Sequence, residues 1–241
     1  MLKWFSDGLG KSGVSDVSFY FESGLLGVSD NHRMAYPFFA RKASEHSVLM
    51  HMDSHEDCAF FREEDKAELA KIDAVADLDA FVSYQYEYNG SAKCPVQWGN
   101  WITALLHMFP QLFDRIYIIC QGRCTSTSMY TEAEKRVLRR AQNEDSLWSS
   151  AETAANSACF SLDVDYYYDC ASERYFVRPG FPNPTAHFGR CLRRALDSPG
   201  SPLFVALSPS CCGGWENVMP FIQVIDQCCG ISLAAQVEAR L

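Results

Sequence analysis

Val48-Leu49-Met50-His51-Met52-Asp53-Ser54-His55-Glu56-Asp57 decides how this chain reads. An almost unbroken apolar run ends in Asp, His and Asp at alternating positions. A run of that kind predicts a strand buried on both faces, as strands of parallel sheets are. Positions i and i+2 of a strand point to the same side, so Asp53, His55 and Asp57 can converge on one point. Ala158-Cys159-Phe160-Ser161-Leu162-Asp163-Val164-Asp165 has the same design, and Asp163 and Asp165 can converge too. Unpaired carboxylates gathered at one place repel each other and are costly to desolvate. A divalent cation removes that cost, and this many ligands suit two cations better than one. The bland alternative is a set of solvated acids capping strand-to-helix turns. Acids and a histidine recurring in two matching strand-end contexts strain that alternative.

Outward from these two runs, strand-like and helix-like stretches alternate. The pattern predicts strands at Val17–Phe21, Val48–Asp53, Arg115–Cys120, Ala158–Asp163 and Leu203–Leu207. It predicts helices at His32–Ser44, Lys66–Ala76, Val96–Phe109, Glu132–Ala141, Thr185–Leu196 and Trp215–Asp226. Such alternation reads as an α/β fold, a mainly parallel sheet with helices on both faces. Ligands of such sheets bind beyond the carboxyl ends of the strands, where both acidic clusters stand. Ser83–Lys93 and Glu173–Pro184 read as loops, the second bordering the site entrance, and Gln142–Ala155 reads as a polar exposed stretch.

The 241 residues are 48% hydrophobic and 13% aromatic, enough for a substantial core, and carry a net charge of −9. That charge argues against a nucleic-acid partner, which needs a basic face. No apolar run approaches the roughly 18–20 residues that span a bilayer. The start, Met1-Leu2-Lys3-Trp4-Phe5-Ser6-Asp7, lacks the long apolar segment of a secretory signal. Eleven cysteines with no Cys-x-x-Cys read as reduced thiols of a cytoplasmic protein rather than disulfides or a zinc ribbon.

Asp-x-His-x-Asp followed about a hundred residues later by Ser-x-Asp-x-Asp resembles the ureohydrolase (arginase/agmatinase) superfamily. Asp30-Asn31-His32-Arg33, Met50-His51-Met52-Asp53-Ser54-His55, Trp98-Gly99-Asn100-Trp101 and Ser208-Pro209-Ser210-Cys211-Cys212-Gly213-Gly214 resemble its divergent UPF0489 branch, which includes peptide arginases. The resemblance implies one three-layer arginase/deacetylase-like α/β domain over residues 1–241. It implies two Mn²⁺ ions, with Zn²⁺, Fe²⁺ or Co²⁺ as alternatives. Asp53 and Asp163 would bridge them; His32 and Asp57 would complete one site, His55 and Asp165 the other, with Ser161 behind them. A bridging hydroxide would attack a guanidinium carbon, and the tetrahedral intermediate would collapse to urea and an amine. The implied substrate is a small molecule or peptide bearing a guanidino group. Hydrolysis of another C–N bond, such as an amide, and a non-catalytic metal- or partner-binding role are the alternatives.

One departure stands out. Ureohydrolases place an acid on a late strand end to neutralise the guanidinium, and Ser210 occupies that region here. Glu216, a few residues on, or another acid is the expected substitute, and Glu216 is counted with Asp53, Asp163 and His55 among the catalytic candidates. His51 shares a strand face with Asp53 and is either a residue supporting the ligands or a core histidine. Asn100 either contacts substrate or starts a helix. At least one of Tyr166, Tyr167 and Tyr168 should face the pocket. Gly213-Gly214 is either an anion cradle or a plain turn. Cys211 and Cys212 read as structural, and His46, His107 and His187 as surface residues.

Overall fold

The computed structural model describes residues 1–10, 13–121, 130–154, 157–171 and 174–241. Eight strands form one sheet: β1 (Leu2–Trp4), β2 (Phe19–Ser23), β3 (Leu26–Ser29), β4 (Ser47–Asp53), β7 (Phe113–Cys120), β8 (Leu138–Arg140), β9 (Ala158–Asp163) and β12 (Leu203–Ala206). Their order is β1-β2-β3-β12-β9-β4-β7-β8. β3, β12, β9, β4, β7 and β8 run parallel, and only the β1–β2 and β2–β3 pairs are antiparallel. This is the α/β architecture with a mainly parallel sheet that the alternation predicted.

Strand alternation splits the core into two layers. Met50, Met52, Phe160, Leu162 and Val205 face α6 (Glu144–Ala154), α7 (Pro184–Leu196), α8 (Trp215–Cys229) and α9 (Leu233–Glu238). Leu49, Cys159, Phe204 and Ala206 face α1 (Ala35–Lys42), α2 (Glu63–Leu69), α3 (Leu78–Ser83) and α4 (Trp101–Met108). His51 and Asp53, one period along from Leu49, share this second face.

Several boundaries differ from expectation. The predicted Val96–Phe109 helix begins only at Trp101, because Asn100 turns the chain: its side chain accepts from Gln97 N–H (2.7 Å) and donates to the Pro95 carbonyl (3.2 Å). The Glu132–Ala141 helix stops at Val137, and Leu138–Arg140 becomes β8 beside β7. Ser83–Lys93 folds into a hairpin of β5 (Tyr86–Tyr88) and β6 (Ser91–Lys93). Its Asn89-Gly90 corner has φ of 51° and 79°, as a tight hairpin turn requires. Within the predicted Glu173–Pro184 loop, β11 (Arg174–Val177) pairs with β10 (Tyr168–Ala171); Glu173 lies outside the described residues. Gln142–Ala155 is mostly α6, whose Leu147, Trp148 and Ala151 are buried; Ala155 lies outside the described residues. No helix among the described residues is long and apolar enough to cross a membrane. The ten described cysteines are all free.

Candidate metal centre

Four adjacent parallel strands end at one place and each sends a short loop into it. β3 leads to His32, β12 to Ser208, β9 to Asp163 and Asp165, and β4 to Asp53, His55 and Asp57. The structure therefore brings together all six residues expected to be ligands.

Local bonding aims each side chain. After β3, Asn31 accepts from Arg33 N–H (2.9 Å) and donates to the Gly13 and Asp16 carbonyls (3.0 and 2.9 Å). The Arg33 guanidinium is fully buried, donates to the Ser15 and Phe81 carbonyls (2.6 and 2.9 Å) and stacks on the Phe81 ring. This clamp fixes the turn that carries His32. The imidazole is 2% exposed, packs against Trp101 and Phe204, and has Nε2 2.8 Å from Ser161 Oγ.

Three carboxylates each commit one oxygen to a backbone N–H. Asp53 Oδ1 accepts from His55 (2.6 Å), Asp163 Oδ1 from Asp165 (2.9 Å) and Asp165 Oδ1 from Ser54 (3.0 Å). Their Oδ2 atoms face the centre, and Asp53 Oδ1, besides its backbone bond, also faces His55 Nδ1. Asp163 Oδ2 also accepts from Ser208 Oγ (2.7 Å), and Asp57 Oδ2 from Trp101 Nε1 (2.6 Å). Asp57 holds a left-handed backbone at φ 53°, a conformation Asp tolerates better than most residues, which turns its carboxylate inward.

The resulting geometry is not a hydrogen-bond network. His32 Nδ1 lies 2.9 Å from Asp53 Oδ2, 2.9 Å from Asp57 Oδ2 and 3.0 Å from Asp163 Oδ2. One ring nitrogen carries at most one proton and cannot satisfy three buried carboxylates. On the other side of Asp53, His55 Nδ1 is 3.4 Å from Oδ1 and 3.0 Å from Asp165 Oδ2. His32, His51 and Asp53 offer ligand atoms within 4.8 Å of one another, and so do Asp53, His55 and Asp165. Asp53 belongs to both groups and is 1% exposed. Carboxylates with a few imidazoles are the donor set of first-row divalent ions, and the residues present fit two of them.

Without ions, electrostatics show the strain. Burial pushes Asp57 up to about 7, with the charge of Asp53 adding to it. Burial, then neighbouring carboxylates, raise Asp163 and drive Asp165 well above the ordinary range. Burial opposes ionisation of Asp53 too, but His32 and His55 outweigh it and hold that carboxyl well below 3.8. The carboxylates in turn hold His32 and His55 protonated. Protons thus neutralise charge that a cation would neutralise better, and an ion bound there would release them.

The cavity over this centre has a volume of about 220 Å³. Besides the six residues, Glu56, Trp98, Gly99 and Ser208 line it. A second cavity of about 200 Å³ shares His55 and Asp165 as walls and is lined by Tyr168, Tyr175, Arg178 and Cys211. Tyr168 is thus the one of the three tyrosines that borders this site, while Tyr166 lines a separate cavity with Gln121 and Arg140 and Tyr167 packs in the core.

Glu216 stands apart from both cavities. It sits exposed on the first turn of α8 and lines neither cavity, because the Gly213-Gly214 turn (φ 85° and 122°) swings the helix start outward. The acid that does line the centre is Glu56, with Oε2 accepting from Tyr130 OH (2.9 Å). Sequence reasoning passed over Glu56 inside the first motif, and over Trp101 and Ser208, whose partners are distant in sequence. Asn100 starts α4 rather than lining the cavity. His46 is exposed, whereas His107 and His187 are largely covered and paired with Glu134 and Glu144.

Trp101 tests the aiming of Asp57. Trp101→Phe keeps an aromatic ring, though a smaller one, and removes the N–H on Oδ2. Ion affinity is expected to fall ~10–100-fold, as for other partners of metal ligands, read by calorimetric titration with Mn²⁺. Unchanged affinity would show that Asp57 is held by its backbone alone.

No family model matches the chain, and no curated protein matches it. Among solved structures, proclavaminate amidino hydrolase from Streptomyces clavuligerus is similar, with 12% identity and a TM-score of 0.41. The likeness covers 88% of this chain, which spans 61% of that one. A likeness of that size bears on neither substrate nor mechanism, and the chemistry of the chain rests on its own site.

Proposed function

We propose that this protein is a hydrolase that uses two divalent ions, Mn²⁺ in the first instance, to cleave urea from a guanidino group. The observation that supports this reading best is Asp53, whose two oxygens face two ligand groups, Oδ2 toward His32 and Oδ1 toward His55. Two ions so placed would acidify a water to a nucleophile near neutral pH and offset charge developing on the substrate.

The chain's own residues do the rest. A guanidinium is a delocalised cation, and leaving water requires a carboxylate or several acceptors. Glu56 supplies that carboxylate from the cavity wall, held by Tyr130. Ser208 keeps Asp163 oriented through Oδ2, and the buried Trp101 and Phe204 rings keep water from the His32 side. A cavity of about 220 Å³ suits a guanidino group and its alkyl chain rather than a bulky substrate. A peptidyl arginine reaches it as readily as a free one if its main chain stays outside.

The test is urea release with Mn²⁺ present, from free arginine and from an arginine-containing peptide. Urea from the peptide only supports conversion of peptidyl arginine to ornithine, and urea from neither rejects guanidine hydrolysis. Glu56→Gln removes the charge and keeps the shape. It is expected to raise KM and to lower kcat/KM by ~10²-fold, about the 2–3 kcal/mol of one charge-assisted hydrogen bond. Metal content should stay the same; a variant with unaltered kinetics would remove Glu56 from substrate recognition.

A further inference from the structure

His51 presents a chemical puzzle. The side chain is 0% exposed, and neither ring nitrogen has a hydrogen-bond partner among the described residues. A buried imidazole ordinarily pairs at least one nitrogen. The two bland explanations both fail on distance. A residue that merely orients a ligand would bond to it, yet the nearest carboxylate oxygen, Asp53 Oδ2, is 3.7 Å from Nε2, beyond a hydrogen bond. A core histidine would be enclosed by apolar groups with a carbonyl or hydroxyl in reach. The hydroxyl of Ser161, its partner across β4–β9, is instead turned to His32 Nε2 at 2.8 Å, and the His55 backbone, near enough to act on the ring's charge, makes no well-formed hydrogen bond with it.

The ring's surroundings point inward to the centre. It lies 5.3 Å from the His32 ring and edge-on to Trp101 at 5.6 Å, on the strand face that carries Asp53. Its ligand atom falls within 4.8 Å of those of His32 and Asp53. We propose that His51 is itself a ligand, coordinating through Nε2 the buried ion that His32 and Asp53 hold. This rests on the two-ion reading above. It makes the ions unequal: the buried one has two imidazoles, and the outer one, beside the exposed His55, has one. Added imidazole shifts preference from Mn²⁺ toward Co²⁺ and Zn²⁺ at the buried position.

The experiment counts nitrogens and does not depend on turnover. The protein is loaded with one equivalent of Mn²⁺ and then with two, and electron spin echo modulation reports the imidazoles bound to each ion. Wild-type protein is expected to show two imidazole nitrogens on the ion that binds first. His51→Gln is expected to show one, with the Kd of that ion raised by about tenfold or more and the other unchanged in calorimetry. Two ions with one imidazole each would overturn the proposal and leave the two-ion reading intact. Protein that binds no ion would overturn both. If His51→Gln does not fold, the wild-type spectrum decides alone.

Discussion

Asp53→Ala is expected to empty both ion positions at once. The carboxylate is the only residue common to the two ligand groups, with Oδ2 2.9 Å from His32 Nδ1 and Oδ1 3.4 Å from His55 Nδ1. Loss of a residue that only supports a ligand costs ~10–100-fold in affinity or activity. Loss of a shared ligand should exceed that, and kcat is expected to fall by at least ~10³-fold. His55→Ala removes a group that serves one position, so one ion should remain. Metal analysis of the two purified variants separates these outcomes: none bound against one. The fold should survive, because the repulsion that Asp53 exerts on Asp57, Asp163 and Asp165 is removed while His32 and His55 keep those carboxylates as partners. Asp53→Ala that still binds two equivalents would end its bridging role and the two-ion reading with it.

The two strands that carry the acids were legible because their residues are unusual for any other setting. Ala158–Asp163 has the predicted bounds, and β4 differs by one residue. Leu26–Ser29 escaped notice although it places His32. It has four residues, and its glycine looks like a break. The structure explains that glycine: a Cβ at Gly27 would meet the Phe38 and Phe204 rings at 2.7 and 2.9 Å. A close approach of that kind exists only in three dimensions. β8 was hidden for another reason, since Leu138-Arg139-Arg140 has charged residues at an exposed sheet edge and continues the helical pattern before it.

Within the site, period two revealed which side chains share a strand end. It could not reveal what they meet. The Trp101 indole reaches Asp57 across 44 positions and Ser208 reaches Asp163 across 45. Nearness of Glu216 in sequence to Ser210 likewise said nothing about the turn at Gly213 and Gly214 that precedes its helix. Glu56 lay in plain view between two ligands, where strand alternation would point it away. The strand ends at Asp53, and the irregular chain beyond it turns Glu56 to the cavity wall.

Chelation should make the protein's stability fall with pH, and metal should abolish that fall. Asp57 ordinarily ionises at 3.8 but at about 7 in the folded ion-free protein. Between those values the native state holds more of this proton than the unfolded chain does. Stability from that group is therefore full below 3.8 and is lost as pH rises toward 7. The raised Asp163 and Asp165 act with the same sign. His32 and His55, also raised, lose their contribution above their ordinary value of 6.5. Asp53 and His51 have the opposite sign: Asp53 acts below pH 3.8, and His51, lowered by burial from 6.5 to about 3, costs stability that is regained as pH rises toward 6.5. Cations replace these protons, and each ion present at a hundred times its Kd adds ~2.7 kcal/mol. Two ions amount to about 5 kcal/mol, or on the order of 10–20 °C in Tm for a chain of this size. Melting at pH 5.5 and pH 8 is the measurement, once with a chelator and once with Mn²⁺. The gain in Tm on adding Mn²⁺ should be much larger at pH 8, where no protons compete for the carboxylates and the ion-free protein carries their full repulsion. A gain that is equal at both pH values would mean that the four aspartates bind ions without holding protons in their absence, and no gain at either pH would mean that they bind none.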